Sequence, residues 1–257
     1  MGLGTWNTFD VGASPAARVT LRQVLGDFVE AGGRVVDSSP MYGTAESVVG
    51  DLAAERRLAE RLFLATKVWT TGRDAGARQM DESLRRLRVR RLDLMQVHNL
   101  VDWRTHLRTL REWKDAGRIR YVGVTHYTAS AFGELEGLLR REPLDFVQLN
   151  YSLGEREAER RLLPLARERG VAVLVNRPFG GGGLLRRLRG RPLPPWAAEL
   201  GCENWAQLCL KWILGHHAVT CVIPATAKPE HLAENVKAAV GALPDDATRD
   251  RIAALVG

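Results

Sequence analysis

The chain has 257 residues, 45% of them hydrophobic, and a net charge of +7 from 37 Lys and Arg against 30 Asp and Glu. That is enough apolar content for one sizeable core, so a single domain over 1–257 is expected. The basic excess is mostly arginine scattered through helix-like stretches such as 81–93, with no zinc-finger spacing, RNP-type motif or basic arm with aromatics, and nucleic acid is excluded as an expected partner. No apolar run approaches bilayer length and the N-terminus has neither a basic nor a hydrophobic leader region, so no membrane partner is expected and the location is read as cytoplasmic.

In chain order, strand-like runs fall at 2–6 (GLGTW), 35–39, 63–68, 92–98, 121–125, 146–151, 171–177 and 219–223. Amphipathic stretches separate them. Ala45, Val48, Val49 and Leu52 follow helical spacing behind a Thr44 cap, and Ala77, Met80, Leu84 and Leu87 repeat the pattern. Eight strand-plus-helix units of about 32 residues each predict a parallel (β/α)8 TIM barrel. An open dinucleotide-binding sheet is the weaker reading, because no GxGxxG follows the first strand. The basic, proline-rich stretch 184–199 is read as a long rim loop, and His216 and His217, taken as neighbours on a helix, diverge too far to share a metal. No metal site is expected. Cys202, Cys209 and Cys221 lack CxxC spacing and suit reduced packing residues. Because the first strand starts directly after Met1, the barrel is expected to lack an N-terminal hairpin, or to have lost an upstream segment. A signal in such a segment would change the location to periplasmic.

In a barrel of this kind, chemistry belongs at the C-terminal ends of the strands. Four polar residues stand there in apolar surroundings: Asp37, Tyr42, Lys67 and His98. A phenol of pKa about 10 is a poor proton donor near neutrality, but a nearby ammonium stabilises phenolate. Lys67 would supply that ammonium, Asp37 would hold it charged, and His98 would hydrogen-bond a substrate oxygen. Together these residues predict acid-base chemistry at a carbonyl.

The segments GLGTW (2–6), 37–46 (Asp37 and Ser38, then SPMYGTAE), ATKV (65–68), LDLMQVH (92–98), GRIRYVGVT (117–125), VQLNYS (147–152) and VIPATAKPEHLAEN (222–235) resemble the aldo-keto reductases, in order and over nearly the whole chain. The resemblance implies NADPH-dependent reduction of aldehydes or ketones. It implies Asp37, Tyr42, Lys67 and His98 as the catalytic set, with Tyr42 as the general acid. It puts the nicotinamide carboxamide against Thr125, His126 and Gln148, with Thr125 and His126 replacing a commoner Ser-Asn pair. Thr5 and Trp6, ending the first strand, are also assigned to the cofactor. Asn176 occupies a place where many relatives stack an aromatic ring on the nicotinamide, so weaker holding is expected, offset in part by Arg177. Gly180 and Gly181 are implied to cover the pyrophosphate, and Thr226, Lys228, Glu234 and Asn235 to hold the adenosine 2′-phosphate. Trp6, Met41, Trp69 and Trp103 are candidates for an apolar substrate wall open to small carbonyl compounds. The oligomeric expectation is a monomer or weak homo-oligomer. Two rivals remain: an NADP-binding regulatory barrel subunit with slow turnover, and a Schiff-base lyase with Lys67 as nucleophile.

Overall fold

A computed structural model describes residues 1–256. In order the elements are β1 (Leu3–Gly4), α1 (Pro15–Glu30), β2 (Val35–Asp37), α2 (Ala45–Glu55), β3 (Phe63–Val68), α3 (Arg73–Arg86), β4 (Leu92–His98), α4 (Trp103–Asp115) and β5 (Ile119–Thr125). They continue with α5 (Phe132–Arg141), β6 (Phe146–Asn150), α6 (Leu162–Glu168), β7 (Ala172–Asn176), α7 (Gly183–Leu188), α8 (Trp205–Leu214), β8 (Cys221–Val222), α9 (Pro229–Lys237) and α10 (Asp246–Ala254). The eight strands pair in parallel in sequence order. The seam is closed by Gly2 and Gly4, whose N–H groups donate to the Val222 and Pro224 carbonyls at 2.8 and 3.0 Å. A Cβ on Gly4 would stand 2.8 Å from the Ile223 carbonyl oxygen, so only glycine lets the first strand approach the last this closely. The fold is the expected (β/α)8 barrel.

Alternation along each strand sorts side chains into a barrel interior and a helix-facing layer. Inside, the register stacks three levels. At the strand starts Phe63, Tyr121 and Phe146 pack with ring centroids 5.5–6.0 Å apart. Above them lie Ala65, Leu94, Leu174 and Cys221. At the strand ends the interior turns polar, with Asp37, Lys67, Gln96, His98, Thr125, Gln148 and Asn176. The apolar lower levels are what make the upper level a water-poor floor for a site.

Four local expectations are corrected. The stretch 184–199 is mostly helical: α7 covers Gly183–Leu188 and a 3₁₀ turn covers Pro195–Leu200. Leu184 and Leu188, one turn apart, are both buried there. Thr44 does not cap α2 with its side chain; its hydroxyl donates instead to Asp10 Oδ1 at 2.8 Å. His216 and His217 lie in the turn after α8 rather than on a helix, their rings stacked 4.7 Å apart. The first, second and eighth strands are shorter than read, since pairing is confined to the middle of the first and eighth and to the opening residues of the second. Among the described residues no helix is long and apolar enough to cross a membrane.

Candidate active site

Asp37 ends β2 and Lys67 lies near the end of β3, both facing inward and both buried. Lys67 Nζ donates to Asp37 Oδ2 and to the Ser38 carbonyl, each at 2.6 Å. The other carboxylate oxygen of Asp37 accepts from Gln148 Nε2 at 2.8 Å and Gln96 Nε2 at 3.2 Å. Both oxygens of this buried charge are thus engaged, which is the condition under which a buried ion pair is tolerated. Tyr42 follows β2 by five residues, and its ring centroid lies 5.0 Å from Lys67 Nζ. His98, ending β4, meets the Tyr42 ring edge-on with centroids 5.8 Å apart. The four residues named from the sequence are therefore neighbours at one end of the barrel.

Electrostatics assign their resting states. Burial raises the Tyr42 pKa above the ordinary phenol value, opposed chiefly by the Lys67 ammonium. The phenol therefore keeps its proton in the resting protein, beside an ammonium whose charge favours the phenolate form. This corrects the expectation of a net lowering. Burial works against charge on Lys67, but Asp37 and Tyr42 outweigh it and hold the ammonium above its usual range. For His98, burial and then the Lys67 charge push the pKa down to about 2, so the imidazole is neutral. Ser39 Oγ accepts the Met41 N–H at 3.2 Å and lies 2.9 Å from His98 Nδ1. With the Ser39 hydroxyl hydrogen donated to Nδ1, Nε2 is the protonated nitrogen and a neutral donor toward the cavity.

Over this floor opens a cavity of about 610 Å³, walled by Trp6, Met41, Tyr127, Phe179 and Ile223 and reached by Asp37, Tyr42 and His98. Thr5, Thr125, Gln148, Asn176, Arg177 and Gly181 also line it. Thr125 Oγ1 donates to Gln148 Oε1 at 3.2 Å, and the Asn176 amide nitrogen reaches the same oxygen at 3.4 Å. Asn176 Oδ1 is buried without a partner. Such an orphan acceptor in a cavity wall fits the amide of a nicotinamide. Arg177 holds a left-handed φ of +49°, and its Nε is buried and unpartnered. Gly180, Gly181 and Gly182 follow with φ of +55°, +64° and +86°. A strained arginine beside an open glycine loop is a fit for phosphate oxygens.

Other expected residues lie elsewhere. The His126 ring does not line the cavity; it stacks on Tyr127 at 5.4 Å, and its Nδ1 accepts the Thr128 N–H at 3.2 Å. Tyr127, unmarked by any signal in the sequence, takes the wall position. Trp103 is turned away and donates to Glu134 at 2.9 Å. Trp69 stands at the rim with its ring centroid 6.4 Å from that of His98. Its segment is pinned: Gln79 bonds both the N–H and the carbonyl of Trp69, His106 Nε2 lies 2.7 Å from the Thr70 carbonyl, and Asp102 accepts the Gly72 N–H at 2.8 Å. Gly180 faces a separate shallow recess with Gly183 and Arg186. Thr226, Lys228, Glu234 and Asn235 lie beyond the cavity on the β8–α9 connection and α9, where the Thr226 hydroxyl folds back to accept the Lys228 N–H at 3.1 Å. Gln96 and Ser39 were not named from the sequence. Gln96 stands two residues before His98 on one strand, so period-two alternation already put both on the inner face.

The Aldo/keto reductase family profile matches residues 1–254, and the chain belongs to that family. Methylglyoxal reductase YeaE of Escherichia coli is 30% identical, the match covering 91% of this chain and 83% of that protein. The NADH-specific methylglyoxal reductase of the same organism is 28% identical over 93% of this chain and 89% of its own length. Among solved structures, an aldo/keto reductase from Klebsiella pneumoniae in complex with NADP and acetate superposes with a TM-score of 0.84 at 27% identity, covering 99% of this chain and 90% of that one.

Proposed function

We propose that the chain reduces aldehyde or ketone carbonyls to alcohols with NADPH, and that Tyr42 is the general acid. The observation that carries this reading is the convergence of a protonated phenol, a buried Lys67–Asp37 pair and a neutral His98 at the floor of one apolar cavity. A bound reduced nicotinamide supplies the hydride. The protein's own groups do the rest. His98 Nε2–H holds the substrate oxygen, Tyr42 gives it a proton, and Lys67 stabilises the phenolate that remains. Asp37 keeps the ammonium charged, which also disfavours the Schiff-base alternative, because a protonated amine has no lone pair for attack.

Asn176 and Gln148 are assigned to the nicotinamide amide, with Thr125 orienting Gln148. Arg177 and the glycine run are assigned to the pyrophosphate. Lys228, exposed at the N-cap of α9, is assigned to a 2′-phosphate and so favours NADPH. The walls of Trp6, Met41 and Tyr127 favour uncharged substrates, and the two methylglyoxal-reducing relatives put 2-oxoaldehydes first in the assay. The test is a panel of 2-oxoaldehydes, aromatic and aliphatic aldehydes and ketones, with NADPH and with NADH, followed by loss of dihydronicotinamide absorbance. Turnover of apolar aldehydes with NADPH ahead of NADH is expected. Cofactor that binds but is oxidised by no carbonyl, even in a single turnover, would contradict the proposal and favour the regulatory-subunit reading.

A further inference from the structure

Glu46 lies in the first turn of α2, four residues beyond Tyr42, and is fully buried. A carboxyl group is costly to bury without a full set of partners. Its Oε1 accepts the Thr66 hydroxyl at 2.6 Å. Thr66 immediately precedes Lys67 on β3, so alternation turns Thr66 toward the helix layer and Lys67 into the barrel. Glu46 Oε2 has no hydrogen-bond partner, and neither has the buried Ser83 hydroxyl of α3 next to it. Arg86 Nη1, also on α3, stands 3.6 Å from Oε2, within ion-pair range but outside hydrogen-bond distance. A neutral carboxyl donating from Oε2 to Ser83 would satisfy both orphan oxygens at once. Burial pushes the Glu46 pKa up in the same sense, opposed by Thr66, Ser83, and the charges of Arg86 and Lys67.

The backbone between Glu46 and Tyr42 is short and bonded: the Tyr42 carbonyl accepts the Ala45 N–H at 3.1 Å, and the Tyr42 N–H donates to the Ser39 carbonyl at 3.0 Å. We propose that Glu46 is a positioning residue for the reaction, its carboxyl tying the turn that carries Tyr42 to the strand that carries Lys67. The brace lies behind the barrel wall and touches neither substrate nor cofactor. Its effect is on the placement of the phenol over the ammonium, where a displacement of about 1 Å can cost on the order of 10²-fold in rate. This role rests on the reading of Tyr42 as the acid.

The experiment compares wild type with Glu46→Gln, Glu46→Ala and Thr66→Val for kcat against pH, cofactor Kd and thermal midpoint. Gln keeps an acceptor for Thr66 and a donor for Ser83, so Glu46→Gln is expected to stay within about threefold of wild-type kcat with the same pH profile. Glu46→Ala and Thr66→Val are expected to lower kcat by roughly tenfold and displace the pH profile, with cofactor Kd within about threefold of wild type. Thr66→Val removes one hydroxyl at constant volume, so it serves where Glu46→Ala fails to fold. Unchanged kcat and pH profile in Thr66→Val would overturn the brace. So would a Glu46→Gln variant as impaired as Glu46→Ala. Should the wild type reduce no carbonyl, the functional reading fails separately. Ultraviolet titration of Tyr42 ionisation in the cofactor-free protein, against a Tyr42→Phe blank, then decides the brace, and an identical midpoint in Thr66→Val overturns it.

Discussion

Lys67 is the residue on which the floor depends, because it is wholly buried and neutralises a carboxylate that two glutamines also hold. Replacing it with Met leaves Asp37 charged or forces a proton onto it in the same low-dielectric place. The expected cost is roughly 3–5 kcal/mol of stability, measured by denaturant titration, and it should shrink when Asp37→Asn is combined with Lys67→Met. Reduction at neutral pH should be nearly abolished in the single variant, and the fall of its residual rate as the phenol ionises should come only at a more alkaline pH than in wild type, since the phenolate has lost its ammonium. A pH profile that does not move would remove Lys67 from the tuning of Tyr42. The same residue shows what a sequence can and cannot tell. A lysine ending an apolar strand was legible as unusual, whereas its grip on the Ser38 carbonyl depends on how two strands sit side by side.

The loops and helix ends around the floor carry the proposed cofactor contacts. After β4, Asn99, Leu100 and Asp102 all take left-handed φ of +46° to +57°, each a strain of about 1–3 kcal/mol. Asp102 uses that conformation to hold the Gly72 N–H and so fixes the rim segment bearing Trp69. At α9, Lys228→Ala is expected to weaken NADPH binding roughly fivefold, the effect of about 1 kcal/mol for an exposed charge, and to leave NADH unchanged. Equal loss for both cofactors in fluorescence titrations would displace the 2′-phosphate from Lys228. The eight strands and the start of α9 at Pro229 were legible because hydrophobic periodicity and a proline at the first helical position are local signals. The helical character of 184–199 was hidden by Gly190 and its three prolines. That the Tyr127 ring and not the expected cofactor residue His126 reaches the cavity was hidden for a different reason: at a strand end, which of two adjacent rings turns inward is settled by Thr128, whose N–H captures the His126 ring.

Across the whole molecule the buried imidazoles couple stability to pH. Burial lowers His98 to about 2 and His216 to about 4, while both titrate near 6.5 once unfolded. Below that value the unfolded chain binds more protons than the folded one, so their contribution is complete above about pH 6.5 and is lost as the pH falls toward the folded values. Glu46, with its pKa raised, pulls the other way over its own range, so the diagnostic quantity is a difference between variants. Urea midpoints should fall from pH 7 to pH 5, and His98→Asn should fall less; equal slopes would show that His98 is not held neutral. The barrel, its polar upper level and the cavity above it together make one claim, that the Tyr42 proton completes a hydride transfer to a carbonyl. The direct measurement is reduction of an aldehyde by NADPH deuterated at the transferring position, in wild type and in Tyr42→Phe. Deuterium on the former carbonyl carbon is expected, with Tyr42→Phe binding cofactor as tightly but forming alcohol slower by on the order of 10²-fold or more. A Tyr42→Phe protein that makes the deuterated alcohol at the wild-type rate would contradict the account.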